Sequence, residues 1–130
     1  MIAKLISALQ ETQGVTPHPA AEPSTIGKFS ISYGLTLPLQ HLEVLSWSNG
    51  VEAYAGYVRL FGVNTEEAID SVLWNDYDYW KFAWDQRCSD FWCFGETAWG
   101  DQYAYSIDSL KRERDSPVYL LDAVSMTPQV

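Results

Sequence analysis

Hydrophobic positions fall at helical spacing in the first part of the chain and in short alternating or continuous runs in the second. Ile2, Leu5, Ile6 and Leu9 stand at i, i+3, i+4 and i+7, the stripe of an amphipathic helix, and Gly14 is placed to end it. Val15 to Pro23 follows, with prolines at 17, 19 and 23. Each proline removes a donor and holds φ near one value, so the segment reads as an extended linker. Ser24 or Thr25 then caps a second helix with Ile26, Phe29 and Tyr33 inward and Gly34 at its end; Gly27 weakens it, so packing must hold it. Leu37-Pro38 opens a third helix, with proline where its missing N–H does no harm. Leu39, Leu42 and Leu45, with Trp47 a further candidate, make its stripe, and Asn49-Gly50 stops it.

The pattern changes after Gly50. Tyr57 to Val63 predicts a strand, and Asn64-Thr65-Glu66-Glu67 a helix start with acids in the first turn, Ala68, Ile69, Val72 and Leu73 facing inward. Residues 74 to 87 have no clean period and read as an irregular loop. Phe91 to Phe94 is a second strand, Gly95 to Asp101 a turn, and Gln102 to Ile107 a third strand with Tyr103, Tyr105 and Ile107 on one face. Asp108 to Asp115 is a charged connection, and Val118 to Leu121 a last strand. Helices first and strands after, joined by short turns, predict an α+β fold: N-terminal helices packed on one face of a mostly antiparallel sheet. One domain spans residues 1–130, with the helix in 1–14, the linker in 15–23 and the main body in 24–130.

Composition narrows the function. With 47% of 130 residues hydrophobic, a real core needs neither disulfide nor metal, and no cofactor is implied. A net charge of -9, from 17 acidic and 8 basic residues, repels phosphate backbones and anionic lipid. Nucleic acid and membrane surfaces are therefore poor partners, and a basic protein is drawn in; the same charge also keeps a protein soluble. Cys88 and Cys93 do not make a disulfide framework, and Cys93, in Phe91-Trp92-Cys93-Phe94, reads as a small buried hydrophobe. Two cysteines, an N-terminus without a long apolar run and no span-length apolar stretch lead to the expectation of a cytoplasmic protein.

Taken in order, Ile26, Phe29, Gly34, Leu37-Pro38, Leu45, Asn49-Gly50, Leu60-Phe61-Gly62, Phe94-Gly95, Gly100-Asp101-x-Tyr103-x-Tyr105 and Asp108 form a set. It resembles the SUKH superfamily, in its Smi/Knr-like cell-wall-regulator branch, from the first residue to roughly Leu121. Each piece alone is ordinary capping and turn chemistry; their order carries the resemblance. Ser30 stands where the family usually has Glu, and where many members continue into a C-terminal helix this sequence stops at Val130 after Met126-Thr127-Pro128, the helix being either absent or beyond the sequence. The resemblance implies a bacterial immunity protein that binds and neutralises a toxin or, as in fungal relatives, a regulatory scaffold. It brings no family-wide catalytic residues.

Leu60 to Trp80 holds five acids and no Lys or Arg, with Asp76 and Asp78 alternating with Tyr77 and Tyr79 before Trp80. Rings supply buried area at low entropy cost and carboxylates select a cationic partner, so Glu66, Glu67, Asp70, Asp76, Tyr77, Asp78, Tyr79 and Trp80 are the candidate contact set for a basic toxin domain. The competing explanation makes Trp74, Trp80 and Trp84 core and the acids mere solvation. Rings with carboxylates would also suit a carbohydrate-binding module, which the lack of a secretion signal disfavours. A glycosidase-type acid pair cannot be read from spacing. His18 and His41 have no nucleophile motif nearby, Cys88 and Cys93 are wrongly spaced for zinc, and Lys111-Arg112-Glu113-Arg114 is a solvated turn. A non-catalytic protein-binding domain is the resulting expectation.

Overall fold

The computed structural model describes the chain apart from residues 1, 12–13, 67, 77, 80, 82–87 and 126, and apart from the side chains of residues 2, 3, 5 and 55. Among the described residues the helices are α1 (Ile2–Glu11), α2 (Pro23–Tyr33), α3 (Leu39–Trp47), α4 (Ser71–Trp74) and α5 (Ile107–Lys111). The strands are β1 (Thr16–Pro17), β2 (Val51–Ala53), β3 (Val58–Leu60), β4 (Phe91–Thr97), β5 (Gln102–Ser106), β6 (Tyr119–Leu121) and β7 (Pro128–Gln129). They lie side by side in chain order and each neighbouring pair is antiparallel, so the sheet is a meander. The α+β architecture expected from the order of patterns is the one observed. No helix among the described residues is long and apolar enough to cross a membrane.

Local chemistry explains where the elements differ from the expected ones. The helix α2 starts at Pro23, without a side-chain cap at Glu22, because proline is already set for the first helical turn. It ends at Gly34, whose φ of 63° lets its N–H reach the Ser30 carbonyl at 2.8 Å. In α3, Leu45 and Leu42 face the sheet as expected, but Leu39 is 69% exposed. At the first helical position its side chain leans back toward the entering chain, where it lines a surface groove with Glu113 and Asp115. The proline segment is extended but not detached. Thr16 and Pro17 pair with Glu52 and Val51, Asn49 N–H donates to Pro19 O at 2.9 Å, and Ala21 N–H to Leu45 O at 2.8 Å. Pro17 is tolerated because β1 is the edge of the sheet.

The expected helix over 64–73 shrinks to α4. Asn49, beyond its part in stopping α3, reaches across to the next loop: its Nδ2 donates to Val63 O at 3.0 Å and its Oδ1 accepts from Val63 N at 2.8 Å. That clamp leaves no room beside Gly62, where a Cβ would lie 2.6 Å from Asn49 O. The chain instead turns back, Gly62 N–H donating to Ile69 O and Ser71 N–H to Gly62 O, each at 2.8 Å. Asp70 rather than Asn64 becomes the cap, accepting from Val72 N at 2.9 Å. Leu73, expected inward, is 63% exposed on so short a helix. The charged connection after β5 begins as α5, with Ser106 as cap, Asp108 in the first turn and Lys111 in the last, the arrangement the helix dipole favours.

Alternation along β4 divides the interior in two. Trp92 and Phe94, with Tyr105 from β5, face α2 and α3 and pack with Phe29, Leu37, Leu45 and Leu110. Tyr103 and Ile107 pack on this same side, so the aromatic face of β5 is core. Cys93, Ala104 and Leu121 face the other way, with Cys88, Trp74 and Phe91 over them. A bulge between Cys93 and Gly95 shifts the β4–β5 register between these layers.

Candidate binding surface and an apolar cleft

The helix α4 is the pivot of the acidic, aromatic region. Its Trp74 turns inward, with ring centroids 4.9 Å from Phe61 and Nε1–H donating to Gln102 Oε1 at 2.8 Å. Tyr79 lies against the outer side of Trp74 at 5.6 Å between centroids, yet is itself 61% exposed. Between them opens a hollow of about 300 Å³ bordered by Thr65, Glu66, Asp70, Leu73, Trp74 and Tyr79. A shallower hollow, bordered by Leu73, Asp76, Asp78 and Tyr79, continues from it. Residues scattered over 66–79 in sequence therefore border one surface around exposed Leu73.

The acids differ in freedom. Asp70 is tied to the fold, its Oδ1 accepting from Val72 N at 2.9 Å and Asn64 N at 3.2 Å. Asp76 closes a small turn by accepting from Asp78 N at 2.9 Å. Glu66 and Asp78 are exposed. Glu67, Tyr77 and Trp80, and with them Trp84, lie outside the described residues. Trp74 is core in part, as the competing explanation had it, while Tyr79 and Leu73 remain available to a partner. Lys81 follows the acids but is turned inward, its Nζ donating to Phe91 O at 2.7 Å. Burial lowers its pKa, with Cys93 and Cys88 acting in the opposite sense. Cys93 is pushed up to about 12 by burial, which keeps it a thiol of low reactivity.

Two further features escaped the sequence reading. Between α3 and the sheet lies a cleft of about 200 Å³ bordered by His41, Val44, Leu60, Phe61, Phe94 and Tyr105, with Gln40 and Val118 also on its wall. His41 Nδ1 and Tyr105 Oη are 2.9 Å apart, and the imidazole stands edge-on to Phe94 and Tyr105, whose rings stack at 4.2 Å. Burial drops His41 to about 4 and raises Tyr105, so the pair is neutral at pH 7. A histidine flanked by Gln40 and Leu42 gave no sign of this, because its partner is 64 residues away. At one end of the sheet, exposed Tyr57 and Trp99 meet at 5.7 Å near Tyr54, which holds a φ of 55°. Trp99 lay in a segment legible only as a turn.

Among the described residues no three His, Cys, Asp or Glu side chains gather so as to hold a metal ion. No protein-family model matches the chain, and no curated protein matches its sequence.

Proposed function

We propose that this chain is a non-catalytic protein-binding domain, an immunity protein that neutralises a cognate toxin by docking on it. The observation that carries the reading is the surface at α4: Leu73, Trp74 and Tyr79 at the centre, Glu66, Asp70, Asp76 and Asp78 around them. An apolar and aromatic centre with a charged rim is the anatomy of a protein interface, where desolvated rings supply affinity and the rim selects the partner. The net charge of -9 adds long-range attraction for a basic surface. The SUKH-like motif order supports the same reading and the cytoplasm as its setting. Inhibition would be steric, the toxin's substrate site covered by this face.

Affinity capture from the source organism's lysate, washed at low and at high salt, tests it. One basic protein retained stoichiometrically and weakened by salt is the expected result. Asp76→Lys with Asp78→Lys should then slow association by about tenfold and flatten its salt dependence. Unchanged kinetics would remove this face from the interface, and several substoichiometric partners would point to a regulatory scaffold instead.

A further inference from the structure

The cleft between α3 and the sheet has a size, a shape and a polarity that together specify a ligand. At about 200 Å³ it exceeds the roughly 150 Å³ apolar cavity that suffices to hold benzene. Its wall is lined with flat rings: Phe94 and Tyr105 are stacked with 16° between their planes, and Phe61 and the edge-on imidazole of His41 stand beside them. Such walls accept another ring more readily than a branched chain, through offset and edge-to-face contacts.

Among the described residues no charged side chain lines the cleft: His41, Tyr105 and Gln40 are its polar side chains, and the remainder is apolar. An ion entering would give up its hydration without a counter-charge, so the ligand is uncharged. His41 Nδ1 pairs with the Tyr105 hydroxyl at 2.9 Å, and both side chains border the cleft. An imidazole held in place by such a pair sets a polar edge beside an otherwise apolar space, the usual composition of a small-molecule site. Val118, 49% exposed, and the exposed Gln40 are both on its wall, so the cleft has its mouth on their side and is reached from solvent without opening the fold.

We infer that this cleft is a binding site for a small uncharged aromatic molecule carrying one hydrogen-bonding group, a phenol or an indole, with His41 as its polar contact. The site shares no lining residue with the hollow at α4 and needs no partner bound there.

Fluorine NMR of three probes with the intact chain tests this: 4-fluorophenol, fluorobenzene and 4-fluorobenzoate at pH 7. Saturable binding of 4-fluorophenol is expected, fluorobenzene binding at least fivefold more weakly and 4-fluorobenzoate not at all. Val44→Phe fills the cleft and should weaken 4-fluorophenol at least tenfold; Val118→Trp, at an exposed position that leaves the core alone, should do the same by covering the mouth. Phenol binding that survives Val118→Trp, equal binding of fluorobenzene, binding of the benzoate, or no binding of any probe would each overturn the assignment.

Discussion

The two faces of the sheet are closed in different ways. The face carrying Trp92, Phe94 and Tyr105 is covered by α2 and α3, and its contacts are overwhelmingly apolar: Phe29 is wholly buried, 5.5 Å from both Tyr33 and Trp92 between ring centroids. The face carrying Cys93, Ala104 and Leu121 is covered by α4 together with Lys81 and Cys88, and directional polar bonds tie that cover down. Asn75 Nδ2 donates to Cys93 O and Asn75 Oδ1 accepts from Cys93 N, both at 2.7 Å. Trp74 is pinned to Gln102, and Lys81 to the Phe91 carbonyl. A long helix can find its seat by burying a stripe, since any apolar neighbour will serve. A four-residue helix buries too little for that, and must be positioned by bonds that allow only one geometry.

The difference predicts unequal responses. The largest is at Phe29. Phe29→Ala empties the centre of the helix-covered face and should lower stability by about 3–5 kcal/mol in urea unfolding, a transfer loss plus a cavity. A smaller cost would mean that α2 collapses into the gap and that this face is packed more loosely than its burial implies.

Asn75→Ala comes next. It strands the Cys93 N–H and carbonyl beneath the cover and should cost about 2–3 kcal/mol. Its signature distinguishes the two faces: in native-state hydrogen exchange the Cys93 amide should lose protection well before amides of α2 and α3. Uniform loss of protection would show that the two covers unfold as one unit.

The smallest effect is a pH response confined to the helix-covered face. His41 falls from its ordinary value of 6.5 to about 4 on folding, so between these values the unfolded chain binds the proton and the folded chain does not. Stability should therefore fall as pH drops through this window, by about 2 kcal/mol from pH 7 to pH 5, and level off below about 4. His41→Gln should remove that increment when its urea midpoints are compared with those of the parent at each pH. Identical slopes would show that the imidazole is hydrated in the folded protein.

Legibility in the sequence follows the same division. Ile26, Phe29, Leu42 and Leu45 could be assigned to the helix-covered core because a helix that buries one stripe repeats it at a fixed spacing, and each of them packs there. Leu39 and Leu73 have the same spacing and are exposed, since spacing assigns a face but not whether the sheet extends that far. Strand β2 was missed because its two inward residues, Val51 and Ala53, are too few to show a period. The acidic, aromatic stretch was legible as a departure from pattern, and Glu66, Asp70, Asp76, Asp78 and Tyr79 do border one surface. That Asp70 is occupied as a helix cap, and that Trp74 is its inward wall, could not be read from residue types.

The amino-acid sequence by itself determined the fold class, the order of helices before strands, the helix-terminating Gly34 and the sign of the protein's electrostatic field. These depend on short-range periodicity, on backbone freedom at single residues and on a sum of charges. Only the tertiary structure decided which acids remain free for a partner, how the second face is closed and that a neutral His41 meets Tyr105 beside an apolar cleft. Each of these depends on residues far apart in the chain, Asn75 with Cys93 and His41 with Tyr105, whose meeting is set by strand register and helix seating rather than by any local preference.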